Sequence, residues 1–225
     1  EYELVVPSTQ EKIKYRPFLV KEEKVLLLAM ESEDDRQIND ALVNTVSECT
    51  FGSVDGRSAP VFDMEYVFLQ VRSKSVGESV ELNITCPDDG KTKVPVKVDL
   101  SEVAVQMSVD HKSEIELTDD IKLVMGYPTL YSSQKVDGDS DTETVFKLMQ
   151  GCISEIHFGD DVYRKVDISK KELDEFFGSL TSEMLAKVQE FFETMPKLRH
   201  IIDVKNPKTK KKNEVMLEGL GDFFT

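Results

Sequence analysis

Few residues in this chain have the type and spacing to do chemistry. The most distinctive run is Cys86-Pro87-Asp88-Asp89-Gly90. A zinc knuckle reads Cys-Pro-x-Cys-Gly, because two thiolates three positions apart on a tight turn can grip one Zn²⁺. Here Asp89 holds the second ligand position, and no other Cys pair completes four ligands. A metal-free hairpin without a cofactor is expected, the remnant of a ribbon that has lost its metal. Cys49 and Cys152 fall on apolar helical stripes and read as small core residues rather than nucleophiles. The three histidines, His111, His157 and His200, are widely separated. His200 shares a strand face with Leu198, Ile202 and Val204, which suits a half-buried structural role. The acidic pairs Asp88-Asp89, Asp119-Asp120 and Asp160-Asp161 are adjacent in sequence, so their side chains diverge instead of converging on a metal. No Gly-x-Ser-x-Gly elbow, phosphate-cradling Gly loop or His-Glu-x-x-His is present. No catalytic, cofactor-binding or metal-binding residue is therefore expected, and the chain does not read as an enzyme.

One basic cluster stands apart: Lys208, Lys210, Lys211 and Lys212, in a chain with 28 Lys and Arg against 43 Asp and Glu. It reads either as a solvated hairpin tip or as a docking site for an acidic partner surface. The formal charge of −15 disfavours nucleic acid, since phosphate binding needs counterions released by Lys and Arg. Anionic membranes are disfavoured for the same reason. With 40% hydrophobic and 32% charged residues, the composition is that of a folded domain over 225 residues. The longest apolar run, Val25 to Met30, is too short to span a bilayer. Three dispersed Cys leave one unpaired and suggest a reducing compartment. No signal peptide opens the chain, and it begins at Glu1 without an initiator Met, so a short leader is expected to be missing. The expectation is a soluble, acidic protein made inside the cell.

The elements that must position these residues follow from periodicity. Tyr2 to Val6 and Lys12 to Phe18 read as short strands joined by Pro7-Ser8-Thr9-Gln10. A first helix is expected from Val20 to Ser32, rich in Lys, Glu, Leu and Ala. A second carries Ile38, Ala41, Leu42, Thr45, Val46 and Cys49, and a third carries Met64, Val67, Phe68 and Val71 before Gly77. From Glu78 the period becomes two: Val80, Leu82 and Ile84, then Val94, Val96 and Val98, form a hairpin around the Cys86 turn. Short strands are expected near Val103 to Val109, Ser113 to Leu117 and Ile121 to Met125. The polar stretch from Ser132 to Asp141 reads as a mobile linker. Capping boxes at Ser140 to Glu143 and Ser169 to Glu172 start two helices. The first is expected to carry its stripe through Val145, Leu148, Met149, Cys152, Ile153 and Ile156. A further helix holds Met184, Leu185, Val188, Phe191, Phe192 and Met195. Strands from Leu198 to Lys205 and Glu214 to Leu220 close the chain.

The fold class expected is α+β. A helical domain built from both chain ends (1–77 and 137–225) would hold an inserted β module and linker (78–136). That module is a degenerate, zinc-ribbon-like hairpin, and a second hairpin lies at the C-terminus. Leu42, Val46, Phe68, Leu148, Ile153, Val188 and Phe192 would share one helical core. The C-terminal hairpin offers an edge strand for partner docking, with the lysine tip adding attraction. Leu220, Phe223 and Phe224 are either its apolar anchors or residues folded back onto the helices.

Several passages together resemble one family. They are Tyr2 to Thr9 (Tyr-Glu-Leu-Val-Val-Pro-Ser-Thr), Tyr15 to Lys24 (Tyr-Arg-Pro-Phe-Leu-Val-Lys-Glu-Glu-Lys), Phe68 to Arg72, Ser75 to Glu78, Phe192 to His200 and Leu217 to Phe224. They look like the baseplate hub assembly proteins of T-even-type contractile-tailed bacteriophages. The likeness covers nearly the whole chain, with Ser101 to Asp141 the least distinctive part. It implies a non-enzymatic baseplate hub component or assembly factor, with other phage baseplate or tail proteins as partners. It also implies a location in the host cytoplasm during assembly or in the virion tail. Many family members carry the complete Cys-Pro-x-Cys turn, so the departure at Asp89 puts a zinc role in doubt. The alternative is a small metal- or nucleic-acid-binding module using the Cys86 hairpin and the Lys208 to Lys212 run. Nothing in the sequence argues for a small enzyme with an unfamiliar site.

Overall fold

The computed structural model describes residues 1–132 and 140–224. In chain order, β1 (Tyr2–Val5) and β2 (Lys12–Tyr15) precede α1 (Val20–Ser32), α2 (Asp35–Cys49) and α3 (Val61–Ser75). Next come β3 (Ser79–Thr85), β4 (Lys93–Asp99), β5 (Ala104–Gln106), β6 (Glu114–Glu116) and β7 (Ile121–Met125). Then follow α4 (Asp141–Gly151), β8 (Ile153–Phe158), β9 (Asp161–Arg164), α5 (Lys170–Gly178) and α6 (Ser182–Thr194). β10 (Lys197–Lys205), β11 (Lys212–Glu218) and α7 (Gly221–Phe224) complete the order. The class is α+β, with small antiparallel sheets beside the helices.

The chain forms two compact units, Glu1–Gln106 together with the chain from Pro196 onward, and Met107–Met195. The boundaries therefore fall at 106/107 and 195/196, rather than at 77/78 and 136/137. The helical stripes divide with them. Val46 and Phe68 are buried in the first unit, whereas Ile153 and Val188 are buried in the second, with Leu148 and Phe192 partly buried there.

In the first unit, β1 and β2 form one hairpin, β3 and β4 a second, and β11, β10 and β5 a three-stranded sheet in that order. The β3–β4 hairpin is not a separate module. Its Leu82 and Val98 share a core with Leu69 of α3, Leu198, Ile202 and Val204 of β10, Leu217 of β11 and Phe223 of α7. Strands with one apolar face need a cover, and each hairpin here supplies it to the other. α2 packs between α1 and α3, its start capped by the Asp34 carboxylate, which accepts from Arg36 N–H at 2.9 Å.

In the second unit, the sheet runs β6-β7-β8-β9. Its core joins Ile115, Leu123, Met125, Met149, Ile153, Ile156, Phe177, Val188 and Phe191. Both expected capping boxes form. Glu143 N–H donates to Ser140 Oγ at 3.2 Å while Ser140 N–H donates to Glu143 Oε2 at 2.9 Å. Ser169 and Glu172 repeat the pair at 3.3 and 2.9 Å. α4 stops at Gly151, and the segment expected to extend it is strand β8. A register shift between Val124 and Met125 explains the misreading. Met125 pairs with Ile153 and Val124 with Glu155, so Ser154 is the extra residue of a bulge. Ile153 and Ile156 both reach the core although they stand an odd three positions apart, which mimics helical spacing. β9 and α7 were not expected from the sequence. Of the polar stretch from Ser132 to Asp141, residues 133–139 lie outside the described residues.

Candidate functional site

All three hairpins of the first unit close through the same proline turn. In each, the residue before Pro receives a backbone bond from a residue four positions on: Gln10 to Val6, Gly90 to Cys86 and Lys210 to Asn206, all at 2.9 Å. That fourth residue is left-handed in every case, with φ of 59°, 65° and 66°. Gly90 adopts this conformation without strain, whereas Gln10 and Lys210 hold a Cβ there at a cost of about 1 kcal/mol.

The Cys86 turn and the Asn206 turn are bound to each other. Asp88 accepts from Asn206 Nδ2 and from Asn213 Nδ2, both at 3.0 Å, and from the Thr209 hydroxyl. The Thr209 hydroxyl and the Asn206 amide hold the Asp88 carboxyl below its ordinary value. Asn206 Oδ1 in turn accepts from Lys208 N–H at 2.8 Å and Thr209 N–H at 3.2 Å, pinning its own turn. Asp89 points back into its hairpin and accepts from Thr92 Oγ1 at 2.6 Å, Thr92 N–H at 2.9 Å and Lys91 N–H at 3.0 Å. Those bonds, the Thr92 hydroxyl first, press its carboxyl well below the carboxylate range. A carboxylate committed to three local donors is poorly placed to bind a metal. Among the described residues no three of His, Cys, Asp and Glu gather as a metal shell.

The cysteines lack nucleophilic character. Cys49, Cys86 and Cys152 are buried, and burial pushes the Cys49 and Cys152 thiols up to about 11. His111 sits against Phe191 and Tyr127, its ring nitrogens 3.0 Å from Thr194 Oγ1 and Tyr127 Oη. Burial lowers its pKa, which favours the neutral ring. His157 lies 2.9 Å from Glu155, and His200 is half-buried on β10 beside buried Leu198 and Ile202.

The residues expected to dock a partner separate into two groups. Lys208, Lys210, Lys211 and Lys212 are exposed at the β10–β11 tip. Phe223 is fully buried among Leu69, Leu82 and Leu217, and Leu220 packs against the same core. Of the two readings left open for these residues, Phe223 follows the one that folds it back into the protein. The side chain of Phe224 lies outside those described.

The surface most unlike ordinary solvent-facing protein is on α1. Its inner line, Glu22, Leu26 and Ala29, is buried or half-buried, and α1 packs on α2. Glu22 anchors the helix start: it accepts from Leu19 N–H at 2.6 Å and from Arg16 Nη2 at 3.0 Å. Burial alone would raise the Glu22 carboxyl, but Arg16, Leu19 N–H and Lys21 outweigh it and hold it down. The remaining faces carry Val20 at 79% exposure, Leu27, Leu28 and Met30 at 55%, and Val25 at 49%, with Leu19 at 55% beside them. Val20, Leu27 and Met30 form one outward stripe at helical spacing, which Val25 and Leu28 widen. The sequence held a signal for this: apolar residues surround the helix, whereas a helix with one buried face needs only one apolar stripe.

Among the described residues no helix is long and apolar enough to cross a membrane. No curated protein and no solved structure matches the chain. A family model does, over residues 1–225. Its description agrees with the resemblance carried by the Tyr2 to Thr9 and Tyr15 to Lys24 segments, so the chain belongs to the T4 bacteriophage base plate protein family.

Proposed function

We propose that this protein is a non-enzymatic component or assembly factor of the phage baseplate hub, and that it acts by docking other baseplate proteins. The observation that carries this reading is the α1 surface. Six large apolar side chains, Leu19, Val20, Val25, Leu27, Leu28 and Met30, each about half exposed or more, cluster on and beside one helix. In a chain of net charge −15 such a cluster has no role in solubility and marks a contact surface. A helix offering Val20, Leu27 and Met30 along one stripe suits a hydrophobic groove on a partner. The exposed lysines Lys208, Lys210, Lys211 and Lys212 would speed encounter with an acidic baseplate surface, adding more to the association rate than to the final affinity. Membership of a baseplate family implies a place in the virion tail and argues against an enzyme. Assembly itself would begin in the host cytoplasm. The metal-binding or nucleic-acid-binding alternative gains no support, because Asp89 is committed to its own turn and the charge is strongly negative.

The test is a variant carrying Val20→Gln, Leu27→Gln, Leu28→Gln and Met30→Gln. These side chains are 55% to 79% exposed, so the fold should keep its thermal midpoint. Infection with phage carrying the variant should give at least about tenfold fewer complete baseplates. Normal assembly with a correctly folded variant would remove α1 as the docking surface.

A further inference from the structure

The two edges of the second unit's sheet differ in how they are covered. In the order β6-β7-β8-β9, each end strand has a neighbour on one side only. The β6 end is covered: α6 packs there, and Lys187 Nζ donates to the carbonyls of Glu116 and Leu117, both at 3.1 Å. Among the described residues β9 has no such cover. All four of its residues are exposed, including Val162 at 51% and Tyr163 at 49%, and the flanking Phe158 and Val166 are exposed at 54% and 88%. Proteins usually protect an edge strand with charge, proline, a bulge or a covering element. An edge with apolar side chains on both faces is instead suited to receive another strand.

The sequence of this edge indicates which strand. From 160 to 165 it reads Asp160-Asp161-Val162-Tyr163-Arg164-Lys165: two acids, two apolar residues, two bases. Run antiparallel against a second copy about Val162 or about Tyr163, one acid of each copy lies opposite one base of the other: Asp160 opposite Arg164 in the first register, Asp161 opposite Lys165 in the second. The two apolar centres meet between them. Directly opposed residues of a two-fold antiparallel pair share a face, so the axis passes through Val162 or through Tyr163 and not between them. Cross-strand pairs of opposite charge and apolar–aromatic pairs both favour pairing, and a two-fold interface requires such self-complementarity. The charges are accessible for it: Arg164 is 72% exposed and lies 3.9 Å from its nearest carboxylate, Glu155. Lys165 Nζ donates to the Gly151 carbonyl, a bond it could exchange for a carboxylate.

We propose that two copies of this protein associate through antiparallel β9 edges, joining two four-stranded sheets into one. The interface is small, so the complex is a reversible one in the micromolar range. It is independent of α1 and of the docking role given to that helix.

Charge exchange tests it on the full chain. One variant carries Asp160→Lys and Asp161→Lys, giving an edge with bases at both ends. A second carries Arg164→Glu and Lys165→Glu, giving acids at both ends. By sedimentation equilibrium at about 100 μM, the unaltered protein should be largely dimeric. Each variant alone should lose at least about tenfold in self-association, with circular dichroism unchanged. An equimolar mixture of the two should regain dimers, each containing one copy of both variants. A monomeric parent protein at that concentration overturns the proposal, as do variants that dimerise as well as the parent. A parent that stays monomeric but binds another baseplate protein through β9 would assign the edge to that partner instead.

Discussion

Glu65 links the C-terminal turn to α3, and its ionisation should set part of the pH dependence of stability. Its carboxylate accepts from Leu220 N–H at 3.2 Å. The approach is close, because a Cβ at Gly219, whose φ is +71°, would stand 3.0 Å from Glu65 Oε1. Burial, reinforced by the nearby charge of Glu218, pushes the Glu65 carboxyl from 4.5 up to about 7, against the pull of the Leu220 N–H. Between those two pH values the folded protein keeps a proton that the unfolded chain has lost. Stability therefore falls as pH rises through this window, and the loss is complete above pH 7. At 1.36 kcal/mol per unit the whole effect is about 3 kcal/mol. Glu65→Gln removes the ionisation and keeps an oxygen acceptor for Leu220. Urea unfolding at about pH 8 should show the variant more stable by up to about 3 kcal/mol, with the gap closing towards about pH 4.5. A gap that does not change with pH, or a variant less stable at about pH 8, would refute the reasoning.

Other expectations follow from single positions. Phe223→Ala should cost about 3–5 kcal/mol in chemical denaturation, since the ring is fully buried. Phe191→Ala should cost a similar amount through loss of contacts with His111 and Tyr127, and Phe192→Ala, only partly buried, clearly less. Lys210→Gly should raise stability by about 0.5–1 kcal/mol, because it relieves a left-handed residue with φ of 66°. Chelator treatment should leave the thermal midpoint unchanged, since Asp88 and its amide and hydroxyl donors already join the two turns.

Much of the fold was legible because its local rules are strong. The bounds of α1, both Ser–Glu capping boxes and the two long hairpins follow from propensity, capping and period-two alternation. β8 was misread because a bulge at Ser154 placed two isoleucines at helical spacing. β9 was missed because a fully exposed four-residue strand carries no alternation of burial. The division into units was hidden because an apolar stripe shows that a helix is buried but not against what. Leu82 of β3 and Phe223 of α7 meet only after 140 intervening residues have folded. The bond from Asn206 to Asp88 spans 118 positions and is equally non-local. Its one sequence trace is that Cys86 and Asn206 both precede proline.

Docking through α1 is the proposed route of the chain into baseplate assembly. Cross-linking mass spectrometry on baseplates and assembly intermediates from infected cells tests it most directly, because Lys21 and Lys24 on that helix are exposed and amine-reactive. Cross-links from Lys21 or Lys24 to other baseplate subunits are expected. A chain missing from both preparations, or one whose α1 lysines link only to residues of its own chain, would contradict it.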